Sequence, residues 1–225
     1  MTPRHPPTRK RRTKTQSDLG RRLCLSVTVF LSATLLYSSL GCFGSDQVPR
    51  HRYYRLPIYE RVKATNEPLS VVLRIEEFEV APAYDHLRLV YRVSPYEVRH
   101  YGFRQWVTKP GRLVADALRL YMKMSGRFTT VTEEPRPLAD YTLQGKVEVL
   151  EEIDKKKRWF AHLVLTLRLV KVSDGRVVWS QRFDTKKRVK KRRPKYVVAG
   201  LTELFGQVAE ETLKKVVEIV KEDRS

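Results

Sequence analysis

The sequence predicts an α+β fold: a mostly antiparallel or mixed sheet of about six to seven strands, with two main helices packed on it in a single domain. Three observations carry this. Between residues 70 and 185, short segments alternate apolar and polar residues with the period of a strand. Two segments, 109–126 and 194–222, repeat apolar residues at helical spacing instead. Their order is three strands, a helix, about four strands and a helix, the pattern of a sheet carrying helices on one face.

Each element has its own signal. Residues 70–80, "SVVLRIEEFEV", read as one strand with Val71, Leu73 and Ile75 on one side. In 86–93, Leu87, Leu89, Tyr91 and Val93 alternate with Arg88 and Arg92, and "SPYE" turns the chain into a third strand at 96–103, making a hairpin. Over 109–126, Leu113, Ala117, Leu120, Tyr121 and Met124 form a helical stripe, with Pro110 suited to the start and Gly126 to the stop. A short strand at 127–134 ends at "PRP". Residues 140–153 place Tyr141, Leu143, Val147 and Val149 against Thr142, Gln144, Lys146 and Glu148. The cleanest strand is 159–172, with Ala161, Leu163, Leu165, Leu167 and Leu169 on one face and His162, Thr166 and Arg168 on the other. "SDGR" is a tight turn into 177–185, and Val198, Leu201, Phe205, Val208, Val216 and Val220 stripe the last helix, interrupted by Thr212.

The N-terminal part has a different character. The first 22 residues carry eight Lys/Arg and one Asp, and an uncharged run of 18 residues, 23–40, follows. A basic stretch, an apolar stretch and a small residue make an export signal, although the run is also nearly long enough for a membrane span. Gly41-Cys42 fits the end of a bacterial lipoprotein signal, with Cys42 receiving the lipid. The uncleaved anchor and the plain export signal are the alternatives. The organisation read from this is a leader and hydrophobic segment at 1–41, a tether at 42–68 in which Tyr53-Tyr54-Arg55-Leu56 can dock onto the domain, and the α+β domain at 69–225.

Composition and motifs speak against an enzyme. There is no phosphate-cradling glycine-rich loop, and the five histidines, His5, His51, His86, His100 and His162, lack metal-ligand spacing. Two cysteines, Cys24 and Cys42, make neither a disulfide framework nor a four-ligand metal site. His162 reads as a partly exposed surface histidine. Glu151-Glu152 and the other paired glutamates fall on opposite strand faces. No catalytic residue, metal or cofactor is assigned.

The net charge of +20 calls for an anionic partner. Two basic segments stand out. "DKKKR" (154–158) supplies Lys155, Lys156, Lys157 and Arg158. "TKKRVKKRRPK" (185–195) follows a strand ending near Asp184 and supplies Lys186, Lys187, Arg188, Lys190, Lys191, Arg192 and Arg193. In a meander of alternating strands both segments emerge at the same end of the sheet. That rim suits anionic lipid headgroups, an acidic protein surface or phosphates. A nucleic-acid reading is weakened because aromatics that would stack on bases concentrate elsewhere, at Tyr84, Tyr91, Tyr96, Tyr101, Phe103 and Trp106.

Residues 87–128, "LRLVYRVSPYEVRHYGFRQWVTKPGRLVADALRLYMKMSGRF", resemble the auxiliary lipoproteins of ABC-type transport systems, the PqiC-like family that works with MCE proteins. The matching positions are Tyr91-Arg92, Tyr96, Trp106, Pro110, Gly126 and Phe128, with Tyr53 and Tyr54 shortly after the cysteine. The resemblance implies a non-catalytic, periplasm-facing lipoprotein that docks a lipid-transport assembly at the outer membrane. Its implied partners are an MCE-family protein, ABC transporter components and a phospholipid membrane; a homo-oligomer stays open and nucleic acid is not expected. Phe43 after the cysteine, where an Asp would retain the protein at the inner membrane, favours the inner leaflet of the outer membrane over inner-membrane anchoring. The alternative functions are a polyanion- or nucleic-acid-binding domain on an anchor, and an accessory lipoprotein of outer-membrane assembly.

Overall fold

The computed structural model describes residues 50–57, 65, 67–156, 158–191 and 193–224. Nine strands and two helices make up these residues: β1 (Arg52–Tyr54), β2 (Leu69–Ile75), β3 (Glu79–Val80), β4 (Arg88–Ser94), β5 (Glu97–Trp106), α1 (Pro110–Met124), β6 (Phe128–Thr132), β7 (Tyr141–Lys155), β8 (Arg158–Lys171), β9 (Val177–Val189) and α2 (Pro194–Glu222). The expected α+β order is present, with the short strand β1 added and the strand expected over 70–80 divided into β2 and β3.

β7 organises the sheet. One of its edges pairs antiparallel with β8 along its whole length, and β8 pairs antiparallel with β9. Its other edge is shared by three parallel partners in sequence: β2 at Tyr141–Leu143, β3 at Lys146–Val147 and β4 at Glu151–Ile153. β6 extends the sheet beyond β2, while β5 and then β1 extend it beyond β4. β1 anchors the segment read from sequence as a tether: the Tyr54 carbonyl accepts from the Val107 amide at 2.9 Å, and Leu56 is buried in the core.

The strand expected across 70–80 breaks at 76–78, because Phe78 leaves the sheet and buries its ring against Gly145 of β7. The backbone of Phe78 lies under Gly111, at the first turn of α1. In α1 the buried stripe is rotated from the expected one. Val114, Leu118 and Met122 join Leu113, Ala117 and Tyr121 inside, whereas Leu120 and Met124 are 42% and 37% exposed. Pro110 opens α1 and Gly126, at φ 63°, follows its end. That left-handed backbone suits glycine.

α2 covers the odd-numbered face of β8, whose residues 161 to 169 are fully buried at each odd position. Gly200 brings the helix close: a Cβ there would lie 2.9 Å from that of Ala161. Thr212 fits its apolar stripe by donating its hydroxyl to the Val208 carbonyl at 2.7 Å.

β7 also contains a register shift between Val147 and Val149. The extra residue at a bulge reverses the alternation. Before it, Tyr141, Leu143 and Val147 face α1 and α2; after it, Leu150 takes that face opposite Leu163, and Val149 lies opposite Val164 on the other. The expected grouping of Val149 with Tyr141 fails for this reason.

A cationic cleft on the open face of the sheet

The bulge places Glu151 on the sheet face opposite α2, in register with Val90 on one side and His162 on the other. Both Glu151 and His162 are buried, at 1% and 4% exposure, so His162 is not the surface histidine expected. Around Glu151 a polar cluster forms. The Tyr84 hydroxyl donates to Oε2 at 2.7 Å, Arg92 Nη2 donates to Oε1, and His162 Nδ1 lies 3.1 Å from the same oxygen. His162 Nε2 is 3.0 Å from Asp184 Oδ1 on β9. Burial pushes the Glu151 pKa up, but the hydrogen bonds from His162, Tyr84 and Arg92, with the Arg92 charge, outweigh it and hold it below its ordinary 4.5. Burial and the Glu151 carboxylate together raise the Tyr84 hydroxyl well above its ordinary value.

Two residues further along each strand, and so on the same face, a row crosses four strands: Arg92 is in register with Ile153, Ile153 with Phe160, and Phe160 with Arg188. Register partners share a sheet face, so two apolar side chains sit between two guanidinium-bearing ones. Neighbouring strands lie ~4.8 Å apart, which makes the row span about 14 Å. These residues, with Lys155, Lys186 and the Ser94–Pro95 turn, line a cleft of about 410 Å³. Asp154 also lines it.

The two basic segments do emerge at one end of the sheet, yet the structure divides them. Lys155 and Arg158 pair across the β7–β8 turn, where Lys156 takes φ 49°. β9 runs on through the second basic segment to Val189 instead of ending near Asp184. Strand alternation therefore splits Lys186 and Arg188, on the open face, from Lys187, which reaches α2 and donates to Glu203. Lys186 Nζ lies 3.5 Å from Asp184. Lys190, Lys191 and Arg193 are exposed before and at the start of α2, and Lys191 stands 6.0 Å from the Tyr196 ring. Lys157, Arg192 and Cys42 lie outside the described residues.

Most of the remaining motif positions serve architecture. Trp106 and Phe128 are core residues, Tyr91 packs its ring 4.7 Å from that of Tyr101, and Tyr53 sits on exposed β1. Tyr96 is 98% exposed at the β4–β5 turn, next to cleft-lining Pro95. The sequence reading missed Tyr84, Glu151 and Asp184. For Glu151 the signal was "LEEI" at 150–153, two adjacent carboxylates between apolar residues where strict alternation allows only one on the polar face. Among the described residues no group of His, Cys, Asp and Glu is arranged to hold a metal ion, and no helix is long and apolar enough to cross a membrane.

Residues 54–212 match the family of ABC-type transport auxiliary lipoprotein components. The chain belongs to this family. The auxiliary-lipoprotein family therefore supplies the frame for the cleft: an accessory component of a transport system. Solved structures share its fold. A Xanthomonas campestris protein of the DUF330 family is 22% identical, with a TM-score of 0.68 over 77% of this chain and 99% of that one. An uncharacterised protein is 16% identical, with a TM-score of 0.60 over 75% and 99%. No match is found among curated proteins.

Proposed function

We propose that this auxiliary lipoprotein is anchored by a lipid on Cys42 in the inner leaflet of the outer membrane, faces the periplasm, and docks an MCE-type phospholipid transport assembly there. Family membership supports the accessory role. The observation that carries the membrane half is the end of the sheet where Lys155, Lys156, Arg158, Lys190 and Lys191 are exposed, the same end as exposed Tyr96. Cations with an exposed aromatic are the chemistry of a lipid–water interface. The role needs no catalytic step, and the polar cluster around Glu151 has a structural use, since it holds Arg92.

Metabolic labelling with a palmitate analogue tests the anchor. Label that disappears in Cys42→Ala, found in the outer-membrane fraction, is the expected result; unlabelled full-length chain in the inner membrane would overturn it. Co-purification with MCE proteins tests the partner, and its absence would shift the reading towards outer-membrane assembly. For the rim, each Lys near an anionic surface contributes about 1 kcal/mol. Neutralising Lys156, Lys190 and Lys191 to Gln in the non-lipidated Cys42→Ala chain is therefore expected to weaken retention on phosphatidylglycerol vesicles by roughly 100-fold, with thermal melting unchanged. Equal retention would retire the rim.

A further inference from the structure

We propose that the cleft is a receptor for the headgroup of one anionic lipid: a phosphate ester held between Arg92 and the Arg188–Lys186 side, with the carbons next to it resting on Ile153 and Phe160. The inference rests on the lipid-transport reading for the source of its ligand, and on the geometry of the cleft for everything else.

The cross-strand row is the first support. A purely phosphate-binding surface has no use for two apolar side chains between its cations, whereas a phosphate ester on a carbon stem uses both. Arg92 is the second. Its guanidinium forms a rigid fork of donors suited to phosphate oxygens. Glu151 fixes it through Nη2, and Glu151 is itself held by Tyr84 and His162. Arg92 still remains 30% exposed while Glu151 is wholly covered, so the donor group is oriented before a ligand arrives, which lowers the cost of binding. The third is charge. Glu151 offsets Arg92 and Asp184 lies near Lys186, but Lys155 and Arg188 leave the lining positive even with Asp154 counted. The volume, about 410 Å³, suits a headgroup and the first carbons of its chains rather than a whole lipid. The acyl chains would then extend out of the cleft.

Calorimetric titration of the full chain in neutral detergent tests this, with water-soluble dibutyroyl phosphatidylglycerol and inorganic phosphate as probes. Lys186→Glu with Arg188→Glu is expected to weaken the lipid probe at least tenfold. Lys123→Glu with Arg136→Glu makes the same charge change at exposed positions outside both the cleft and the rim and is expected to cost less than twofold. Phe160→Ala is expected to weaken the lipid probe while leaving any phosphate binding unchanged. Equal losses in the two double variants would mean diffuse electrostatics and overturn the proposal. So would phosphate binding as tightly as the lipid, which would make this a free-phosphate site, and so would no binding of the lipid probe. Probe binding needs neither Cys42 nor a partner. A chain that takes the probe but never co-purifies with MCE proteins would sink the transport reading and keep the cleft; the reverse would sink the cleft alone.

Discussion

Glu151→Ala will lower the unfolding free energy by about 3–5 kcal/mol, the usual cost of removing one partner from a buried charge pair. The carboxylate accepts from Tyr84 and Arg92 and faces His162, and its loss leaves the buried Tyr84 hydroxyl and His162 Nδ1 without it and the Arg92 charge unpaired at the cleft. Glu151→Gln keeps the volume and an acceptor for Tyr84, so it is expected to cost less than Ala. The pH dependence has a fixed sign. Because the folded-state pKa of Glu151 is lowered from 4.5, its stabilisation is fully present above about that pH and fades as pH falls through the folded value. Urea unfolding of wild type and Glu151→Gln at pH 7 and pH 3.5 checks this: the gap should narrow in acid. A gap independent of pH would show that the carboxylate's charge contributes nothing.

Phe78→Ala will cost about 3–5 kcal/mol through the cavity it leaves. Phe78 is wedged where the sheet meets the first turn of α1. A Cβ at Gly145 would lie 2.5–2.6 Å from its ring, and one at Gly111 would lie 2.3 Å from its carbonyl oxygen. The two glycines thus answer to different atoms. Gly145→Ala should destabilise the wild type by about 1–3 kcal/mol through overpacking, and should be nearly neutral once the Phe78 ring is gone. Gly111→Ala meets backbone, so it should stay costly in both backgrounds. Denaturation of the three single and two double variants would separate the two; parallel behaviour of Gly111 and Gly145 would refute the distinction.

The strands of the central meander were legible because β8 alternates without interruption and "SDGR" closes its turn. The helices were legible from Pro110 and Gly126 around the first and from the stripe of Val198, Leu201 and Phe205 in the second. What period-two reasoning lost came from single residues. One inserted residue at the β7 bulge moved Glu151 and Val149 to the face opposite the one the alternation implied, and with it the whole polar cluster. A basic run looks like a loop by composition, yet Lys186–Arg188 continue β9 because Val189 is buried opposite Trp159. The cleft itself needed register. Arg92 and Arg188 are 96 positions apart in the sequence, and only the pairing of β4, β7, β8 and β9 puts them in one row. The stripe of α1 slipped because Leu120 and Met124 obey helical spacing but project beyond the sheet that α1 covers.

The sharing of one β7 edge by β2, β3 and β4 has a kinetic consequence. Val90 finds its partner Glu151 only after 61 residues, and β2 waits similarly for Tyr141. A chain appearing N-terminus first can form the β4–β5 hairpin and α1 early, but three strand edges stay open until residues 141–155 arrive. Sheets dominated by such distant pairings fold in milliseconds to seconds, and open edges invite association with other chains meanwhile. Substitutions that weaken β7 will therefore reduce the yield of soluble protein more than they lower the melting temperature of the molecules that do fold.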